Sequence, residues 1–239
     1  MRKLHLTHAA YAAMVGAALL GMIALTVAVA RDAGPLPGDV GLTVWWQRLI
    51  LPHPWLSRLL EIDSTVNWPR PAGILVATAI AVFVALSRWL DAALALATVA
   101  TADATNFLIN QIIQRPRPLG YGVYVDRYIS GVYSFPSGHV EHAVAFFGIV
   151  LFLTFQVRRA GTRTLAVLWV VRAGLILGIV LMGPSRVLMG EHWPSDSLAG
   201  LFWGGFWLLI SIQVYGWIAR RWPRLLGVGE PHPGQRAVA

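Results

Sequence analysis

Long runs of apolar residues constrain this chain more than any other feature of its sequence. Several runs have the length of about 18 to 25 residues that a helix needs to cross a hydrocarbon core of about 30 Å. A helix also satisfies its own backbone hydrogen bonds in lipid. With 56% hydrophobic and 13% charged residues and a mean hydropathy of +0.61, the chain is predicted to be an integral membrane protein.

The apolar runs predict an all-α fold, a six-transmembrane helix bundle with short interfacial helices between spans 1 and 2. The expected spans are Ala9 to Ala30, Pro71 to Leu86, Ala92 to Ile113, Val140 to Phe155, Leu165 to Met182, and Ser197 to Ile218. We expect residues 1–226 to form a single domain and the tail at 227–239, which is rich in glycine and proline, to be disordered.

The first span resembles a signal peptide in two respects. Arg2 and Lys3 precede it, and the sequence Ala28-Val29-Ala30 is similar to a cleavage site. Its apolar stretch is longer than the core of about 7 to 15 residues that signal peptides have. We therefore expect an uncleaved transmembrane anchor.

Basic residues predict the orientation, because loops rich in lysine and arginine stay in the cytoplasm. In a six-span arrangement ten of them fall on one side: Arg2, Lys3, Arg88, Arg158, Arg159, Arg163, Arg220, Arg221, Arg224 and Arg236. That side, with both termini, is predicted to be cytoplasmic. The formal charge of +8 then mostly reflects the orientation of the chain in the membrane. Nucleic-acid binding is not expected, because no pattern of basic and aromatic residues that would form a binding groove accompanies the charge.

The stretch from Arg31 to Arg70 is the longest segment outside the predicted spans. It mixes tryptophan and leucine with arginine and is broken by Pro52 and Pro54, which predicts two short helices lying on the membrane surface. A lid that covers helix ends is an equally good interpretation.

Polar and ionisable residues inside apolar spans are costly and mark functional sites by default. Three groups occur. The first, near the end of the third span, comprises Asp103, Asn106, Asn110, Arg115 and Arg117; the second comprises Ser137, Gly138, His139, Glu141 and His142; and the third comprises Ser185, Arg186, Glu191, His192 and Asp196. In a six-span arrangement all three emerge on the same face of the membrane.

Arginines and histidines that meet near one surface need a shared negative ligand, and guanidinium forks match phosphate oxygens. Asp196 follows His192 by four residues and can reach its imidazole, which is typical of an oriented base or nucleophile. His139 begins another helix beside Ser137 and Gly138, whose backbone N–H groups are expected to face an anion. Two histidines that flank a phosphate can act as nucleophile and general acid.

These segments resemble the signature of the type 2 phosphatidic acid phosphatase (PAP2) superfamily, membrane lipid phosphatases related to vanadium haloperoxidases. The second motif matches as Pro136-Ser137-Gly138-His139, and the third as Ser185-Arg186 with His192 and Asp196. The first motif matches at Arg117-Pro118, but Asn110 stands where the family has lysine.

By this resemblance His192 would attack phosphorus and Asp196 would orient the His192 ring. His139 would protonate the leaving oxygen and later activate water. The phosphoryl oxygens would be held by Arg117, Ser137, Gly138 and Arg186, with Asn110 in the lysine position. The scheme requires no metal and no cofactor. The absence of cysteine also excludes thiol nucleophiles and zinc–thiolate sites.

Other residues allow more than one interpretation. Arg115 could compensate for Asn110 or contact the headgroup, and Glu141 and His142 either shape a headgroup pocket or pack between helices. A metal site at His139 and His142 fits their spacing, but the arginines would repel a cation. Arg172 and Asp103 could form a structural ion pair.

The sequence therefore predicts an integral membrane lipid phosphatase whose site faces outward from a bacterial plasma membrane. Undecaprenyl diphosphate is the favoured substrate, followed by phosphatidylglycerophosphate and phosphatidate. A non-catalytic relative that binds lipid phosphates is the main alternative. Its expected partners are the lipid phosphate and membrane lipids, and the oligomeric state is not predicted.

Overall fold

The computed structural model describes residues 8–126, 133–157 and 161–222. These residues contain eight helices and no β-strand: α1 His8–Arg31, α2 Asp39–Ile50, α3 Pro54–Val66, α4 Pro69–Ala85, α5 Trp89–Ile113, α6 Gly138–Phe155, α7 Thr162–Leu188 and α8 Pro194–Arg221. Helix α6 includes a π-helical turn at Ala143–Phe147. The tail predicted to be disordered lies outside the described residues.

Five of these helices, α1, α5, α6, α7 and α8, are long and apolar enough to cross a membrane. Helix α4 has 17 residues and meets α3 at a bend of 64°, and this bent pair is the candidate for a sixth span. The prediction of an all-α membrane bundle is confirmed. The predicted second span, Pro71 to Leu86, corresponds closely to α4, which begins at Pro69 because proline fits the first helical turn.

Several helices extend beyond the predicted apolar runs into the polar motifs. Helix α7 continues through Ser185 and Arg186 to Leu188, and α8 begins at Pro194 rather than at Ser197. Proline fits the first turn of a helix, where its missing N–H has no partner to lose. Ser185, Arg186 and Asp196 therefore sit on helical turns, whereas Arg117 and His192 lie in the connections between helices.

Helix α8 approaches α6 closely at two glycines. A Cβ atom on Gly200 would lie 2.6 Å from the carbonyl oxygen of Ser137, and one on Gly204 would lie 2.6 Å from that of Glu141. Small residues at such positions let two helix backbones come together. The start of α6, which carries the second motif, is thus held directly against α8, which carries the end of the third.

The two short helices that were predicted to lie on the membrane also pack against the bundle. Trp46 on α2 donates a hydrogen bond from Nε1 to the Pro184 carbonyl (2.9 Å), and Gln47 Nε2 donates to the Leu188 carbonyl (3.0 Å). On the opposite face of α2, Trp45 is exposed. One polar face therefore supports the end of α7 while an apolar face remains available to lipid.

The ion pair between Arg172 and Asp103 is not formed. Arg172 donates to the side-chain oxygen of Thr154 (3.0 Å) and to its carbonyl (2.8 Å), and its guanidinium lies over the Phe155 ring. Asp103 instead contacts His142. Each charge thus has a closer partner on α6.

Candidate active site

The three motif segments meet at one end of the bundle, as predicted. The Ser134 N–H donates to the Arg115 carbonyl (2.9 Å), which joins the first motif to the loop before the second. The Ser137 N–H donates to the Asp196 carbonyl (3.1 Å), which joins the second motif to the third. Backbone hydrogen bonds therefore fix the relative positions of the segments.

His192 lies between α7 and α8 and is 2% exposed. Its Nδ1 is 2.7 Å from the Ser134 carbonyl oxygen, which can only accept. In the neutral ring Nδ1 therefore carries the proton and Nε2 carries the free electron pair. Burial, followed by the positive charges of Arg117 and Arg186, lowers the pKa of His192 well below its ordinary value. The ring is thus neutral near pH 7, and its Nε2 carries no proton.

His139 faces the same region from the first turn of α6. Its ring centroid lies 6.5 Å from that of His192. Its Nε2 is buried and has no hydrogen-bond partner among the described residues. The two imidazoles that the sequence singled out are therefore neighbours, and His139 has a nitrogen available for proton transfer.

Asp196 occupies a different place from the expected one. Its Oδ2 lies 3.9 Å from Nδ1 of His192, too far for a hydrogen bond. The same oxygen accepts the Trp193 N–H at 2.8 Å, and Oδ1 pairs with Arg115. The group that directly orients His192 is thus the Ser134 carbonyl, which sequence patterns do not reveal because every residue carries one.

Arg115 is completely buried and does not face a headgroup. It donates to Asp196, to Ser195 Oγ (2.8 Å), to the Gly34 carbonyl (2.8 Å) and to Asp39 Oδ2 (2.9 Å). These contacts leave its guanidinium no surface for substrate. Asp39 and Ser195 were missed by the sequence analysis, although an acidic residue in the first turn of a short helix could have been noted.

Arg117 and Arg186 converge on the carboxylate of Glu191. Arg117 Nη1 lies 3.2 Å from Glu191 Oε2, and Arg186 donates to the same oxygen. Arg186 also donates to Ser64 on α3. Both arginines predicted to bind phosphate therefore lie together beside His192, and Glu191 and Ser64 are additions that the family motif does not include.

Ser137 and Gly138 only partly match the expected anion site. The Ser137 N–H is used by Asp196, but its hydroxyl oxygen is buried with no described partner. Gly138 lies so close to α5 that a Cβ atom there would be 2.8 Å from Asn106 Oδ1. The hydroxyl of Ser137, rather than its amide, is the group available to a ligand.

The two asparagines of α5 hold the second motif in place. Asn110 Nδ2 lies 3.3 Å from both the Tyr133 and the Phe135 carbonyls. Asn106 donates to Glu141 Oε2 at 2.8 Å, and Glu141 is completely buried. Glu141 is therefore a link between α5 and α6, and the headgroup contact considered for it has no exposed surface.

His142 lies one turn after His139 and pairs with Asp103 of α5, with Nδ1 3.0 Å from Oδ1. Its Nε2 is buried and unpartnered within the described ranges. A groove of about 910 Å³ lies between α4 and α5. Its mouth is lined by Asp103, Asn106, His139 and His142. Below the mouth the groove walls are apolar and include Val76, Ile80, Val84, Leu96 and Val99.

A second groove of about 530 Å³ lies between α2, α7 and α8, and neither motif histidine lines it. Within the part of the chain that the structure describes, no three histidine or carboxylate side chains are grouped so that they could hold a metal ion.

Comparison with known proteins gives consistent results. The family model described as PAP2 superfamily matches residues 91–220. The chain is 33% identical to lipid A 1-phosphatase of Rhizobium etli over 114 residues, which are 45% of this chain and 43% of that protein. It is 32% identical to dolichyldiphosphatase 1 of Callithrix jacchus over 121 residues, 47% of this chain and 49% of that protein.

The chain thus spans about half the length of the curated relatives it matches. Among solved structures, it resembles a transmembrane PAP2-type phosphatidylglycerolphosphate phosphatase from Bacillus subtilis with a TM-score of 0.69 at 21% identity, covering 87% of this chain and 98% of that one. At this identity the likeness concerns the fold alone. Because the family model matches more than half of its length, the chain belongs to the PAP2 superfamily.

Proposed function

We propose that this protein is an integral membrane phosphatase that hydrolyses a lipid phosphate or diphosphate through a phosphohistidine at His192. The observation that carries the proposal is the juxtaposition of His192 and His139, with ring centroids 6.5 Å apart, beside Arg117 and Arg186. A phosphoryl group placed between the rings would contact a nucleophile on one side and a proton donor on the other.

In the first step Nε2 of His192 attacks phosphorus and forms a P–N bond. The P–O bond to the lipid breaks, and the leaving oxygen takes a proton from Nε2 of His139, which must enter this step as the imidazolium. The Ser134 carbonyl accepts a hydrogen bond from Nδ1–H of His192 throughout, which stabilises the positive ring that forms. This mechanism needs His192 neutral at the start, in keeping with the lowered pKa of His192.

In the second step His139, now neutral, takes a proton from water as the water oxygen attacks the phosphohistidine. The P–N bond breaks, inorganic phosphate leaves, and both histidines return to their initial states. Arg117 and Arg186 stabilise the charge that develops on the phosphoryl oxygens in both steps. The Ser137 hydroxyl supplies a further hydrogen bond.

The groove between α4 and α5 supports a lipid substrate. It runs from Asn106 and His139 down to Leu96, and ten residues of helix α5 correspond to about 15 Å. A lipid whose phosphate lies at the histidines could therefore place one apolar chain between the helices. This arrangement suits a polyprenyl chain.

Within this class we favour undecaprenyl diphosphate as substrate, with the site on the outer face of a bacterial plasma membrane and both termini inside. The similarity to a dolichyldiphosphatase supports a polyprenyl diphosphate. Lipid A 1-phosphate is the second candidate, supported by the similarity to two Rhizobium lipid A 1-phosphatases. Phosphatidylglycerophosphate and phosphatidate complete the set to be tested.

The experiment is a phosphate-release panel with detergent-solubilised protein on undecaprenyl and farnesyl diphosphate, lipid A, phosphatidylglycerophosphate and short-chain phosphatidate. We expect release from at least one of them, inhibition by vanadate, and no effect of chelators. His192→Ala should abolish release, and His139→Ala should reduce it by about 10²- to 10⁴-fold. His53→Ala, which changes an exposed histidine outside the site, serves as control.

Phosphorus-labelled substrate separates an enzyme from a non-catalytic binding relative. The His139→Ala variant should accumulate an acid-labile labelled adduct that is absent from His192→Ala. If every lipid in the panel is bound but none is hydrolysed, and no adduct forms, the enzymatic proposal is wrong.

A further inference from the structure

Glu191 places a carboxylate where an anionic ligand would be expected. Its Oε2 accepts from Arg117 Nη1 at 3.2 Å and from Arg186, and its carbonyl oxygen accepts from Arg117 Nη1 at 3.1 Å. The side chain is nearly completely buried, and the next residue is His192. The two guanidinium groups therefore share an internal anion beside the nucleophile.

The backbone fixes this position of the carboxylate. Gly190 has a φ of +65°, in the left-handed region, and a Cβ atom on it would lie 1.9 Å from the Tyr124 carbonyl oxygen. Only glycine fits such a close approach. The turn after α7 is thus tightly held by its neighbours, which fixes the backbone from which the Glu191 side chain projects.

A carboxylate and a phosphate are both acceptors for guanidinium forks, so they compete for the same donors. When phosphate enters, the negative charge of Glu191 stays within the site and disfavours the added anion. When phosphate leaves, Arg117 and Arg186 keep the Glu191 carboxylate as an acceptor, so neither becomes a desolvated, unpaired charge. The carboxylate therefore weakens phosphate binding and aids its release.

We propose that Glu191 is a positioning residue that aligns Arg117 and Arg186 and keeps the affinity of the site for free phosphate low, so that product departs. This inference rests on the proposed phosphatase function. A purely structural role predicts the opposite sign, because removal of a structural contact would loosen the arginines and weaken phosphate binding.

The test uses Glu191→Gln, which keeps the shape and the acceptor oxygen but removes the charge. We expect inorganic phosphate and vanadate to bind about tenfold more tightly, since a close like charge is removed. Both KM and kcat should fall together as phosphate release becomes slow. Glu191→Asp keeps the charge on a shorter side chain and should show a smaller tightening.

Phosphate affinity is measured directly by calorimetry on the solubilised full chain, and this measurement does not require turnover. Tighter binding by Glu191→Gln supports the inference even if the panel finds no hydrolysis, which would overturn only the proposed function. Unchanged or weaker phosphate binding in a variant that unfolds at the wild-type temperature overturns the inference. If Glu191→Gln does not fold, the same two outcomes are read from Glu191→Asp.

Discussion

The carbonyl oxygen of Ser134 lies 2.7 Å from Nδ1 of His192, whereas the carboxylate of Asp196 lies 3.9 Å from the same atom. The imidazole is therefore oriented by the backbone of the loop before the second motif. Asp196 acts one layer further out, where it holds Trp193 and Arg115. This arrangement separates the orientation of the imidazole from the ionic support beneath it.

Asp196→Asn tests that separation. The asparagine can still accept the Trp193 N–H, but Arg115 loses one of its two carboxylate partners, which for a buried pair costs about 3 kcal/mol or more. We expect a lower unfolding temperature and a parallel loss of activity. Asp39→Asn, which removes the other partner of Arg115, should lower the unfolding temperature similarly. If Asp196→Asn abolishes activity with unchanged stability, Asp196 acts on His192 directly.

Much of the fold was predictable because lipid imposes a simple rule on sequence. Runs such as the first span read as helices because backbone groups in hydrocarbon must pair within one segment. Helix ends were less predictable. Ser185 and Arg186 are polar, yet they continue α7 because Ser185 Oγ donates to the Met182 carbonyl and Arg186 donates to Ser64 of α3, which compensates for burying them. Hydropathy does not register such tertiary partners.

The site was predictable where chemistry depends on side-chain type and spacing, as for His139 and His192. It was not predictable where the partner is a backbone group, as for Ser134, or comes from a distant helix, as for Asp39 and Ser64. The misinterpretation of Arg115 has the same origin. Arg115 lies two residues before the motif residue Arg117, which indicates a cation near the site. Only the packing of α2 and α8 reveals that Asp39 and Asp196 already pair with it.

The pH dependence of the reaction should reflect the lowered pKa of His192. A free histidine titrates near pH 6.5, so the acidic limb of kcat/KM that belongs to the nucleophile should lie below that value. An acidic limb whose midpoint lies above pH 6.5 would contradict the assignment of that limb to His192. The measurement is kcat/KM for a soluble diphosphate substrate from pH 4.5 to 8, with unfolding temperatures recorded in parallel.

The stability of the folded protein should also increase as the pH rises towards about 6.5. Between the lowered native pKa of His192 and about 6.5, the unfolded chain binds a proton that the native ring does not, so stability rises with pH in that window. The stabilising contribution is thus lost as the pH falls below about 6.5. His192→Asn should flatten this dependence, and His53→Asn should leave it unchanged.

The contact between α6 and α8 predicts a matched pair of glycine variants. Gly200→Ala puts a Cβ atom 2.6 Å from the Ser137 carbonyl and 3.2 Å from the Glu141 amide, whereas a Cβ atom on Gly205 meets nothing within 4 Å. Overpacking of this kind costs about 1–3 kcal/mol. Gly200→Ala should lower both activity and the unfolding temperature, and Gly205→Ala should change neither. Equal behaviour of the two variants would show that α6 can shift without effect.

Asn110→Lys tests the departure from the family motif. Asn110 Nδ2 contacts the carbonyls of Tyr133 and Phe135, which flank Ser134 in the loop beside His192. A lysine there adds a positive charge near the bound phosphate, so vanadate should inhibit at lower concentration. Asn110→Met removes the amide without adding charge and is the control. Identical vanadate inhibition constants for the two variants would show that a charge at position 110 does not affect the bound phosphate.

His142 offers the sharpest test of substrate class. Its Nδ1 pairs with Asp103, and its buried Nε2 faces no described partner at the mouth of the groove that His139 also lines. In a diphosphate substrate the leaving group carries a second phosphate, which would pass this mouth. With Nδ1 donating to Asp103, the imidazolium form of His142 would donate a second hydrogen bond from Nε2 to that phosphate. A hydrogen bond to a charged group contributes about 1.5–3 kcal/mol, so His142→Phe should lower kcat/KM for farnesyl diphosphate at least tenfold. Farnesyl phosphate, which lacks that group, should be affected far less, and an equal loss on both substrates would assign His142 to packing alone.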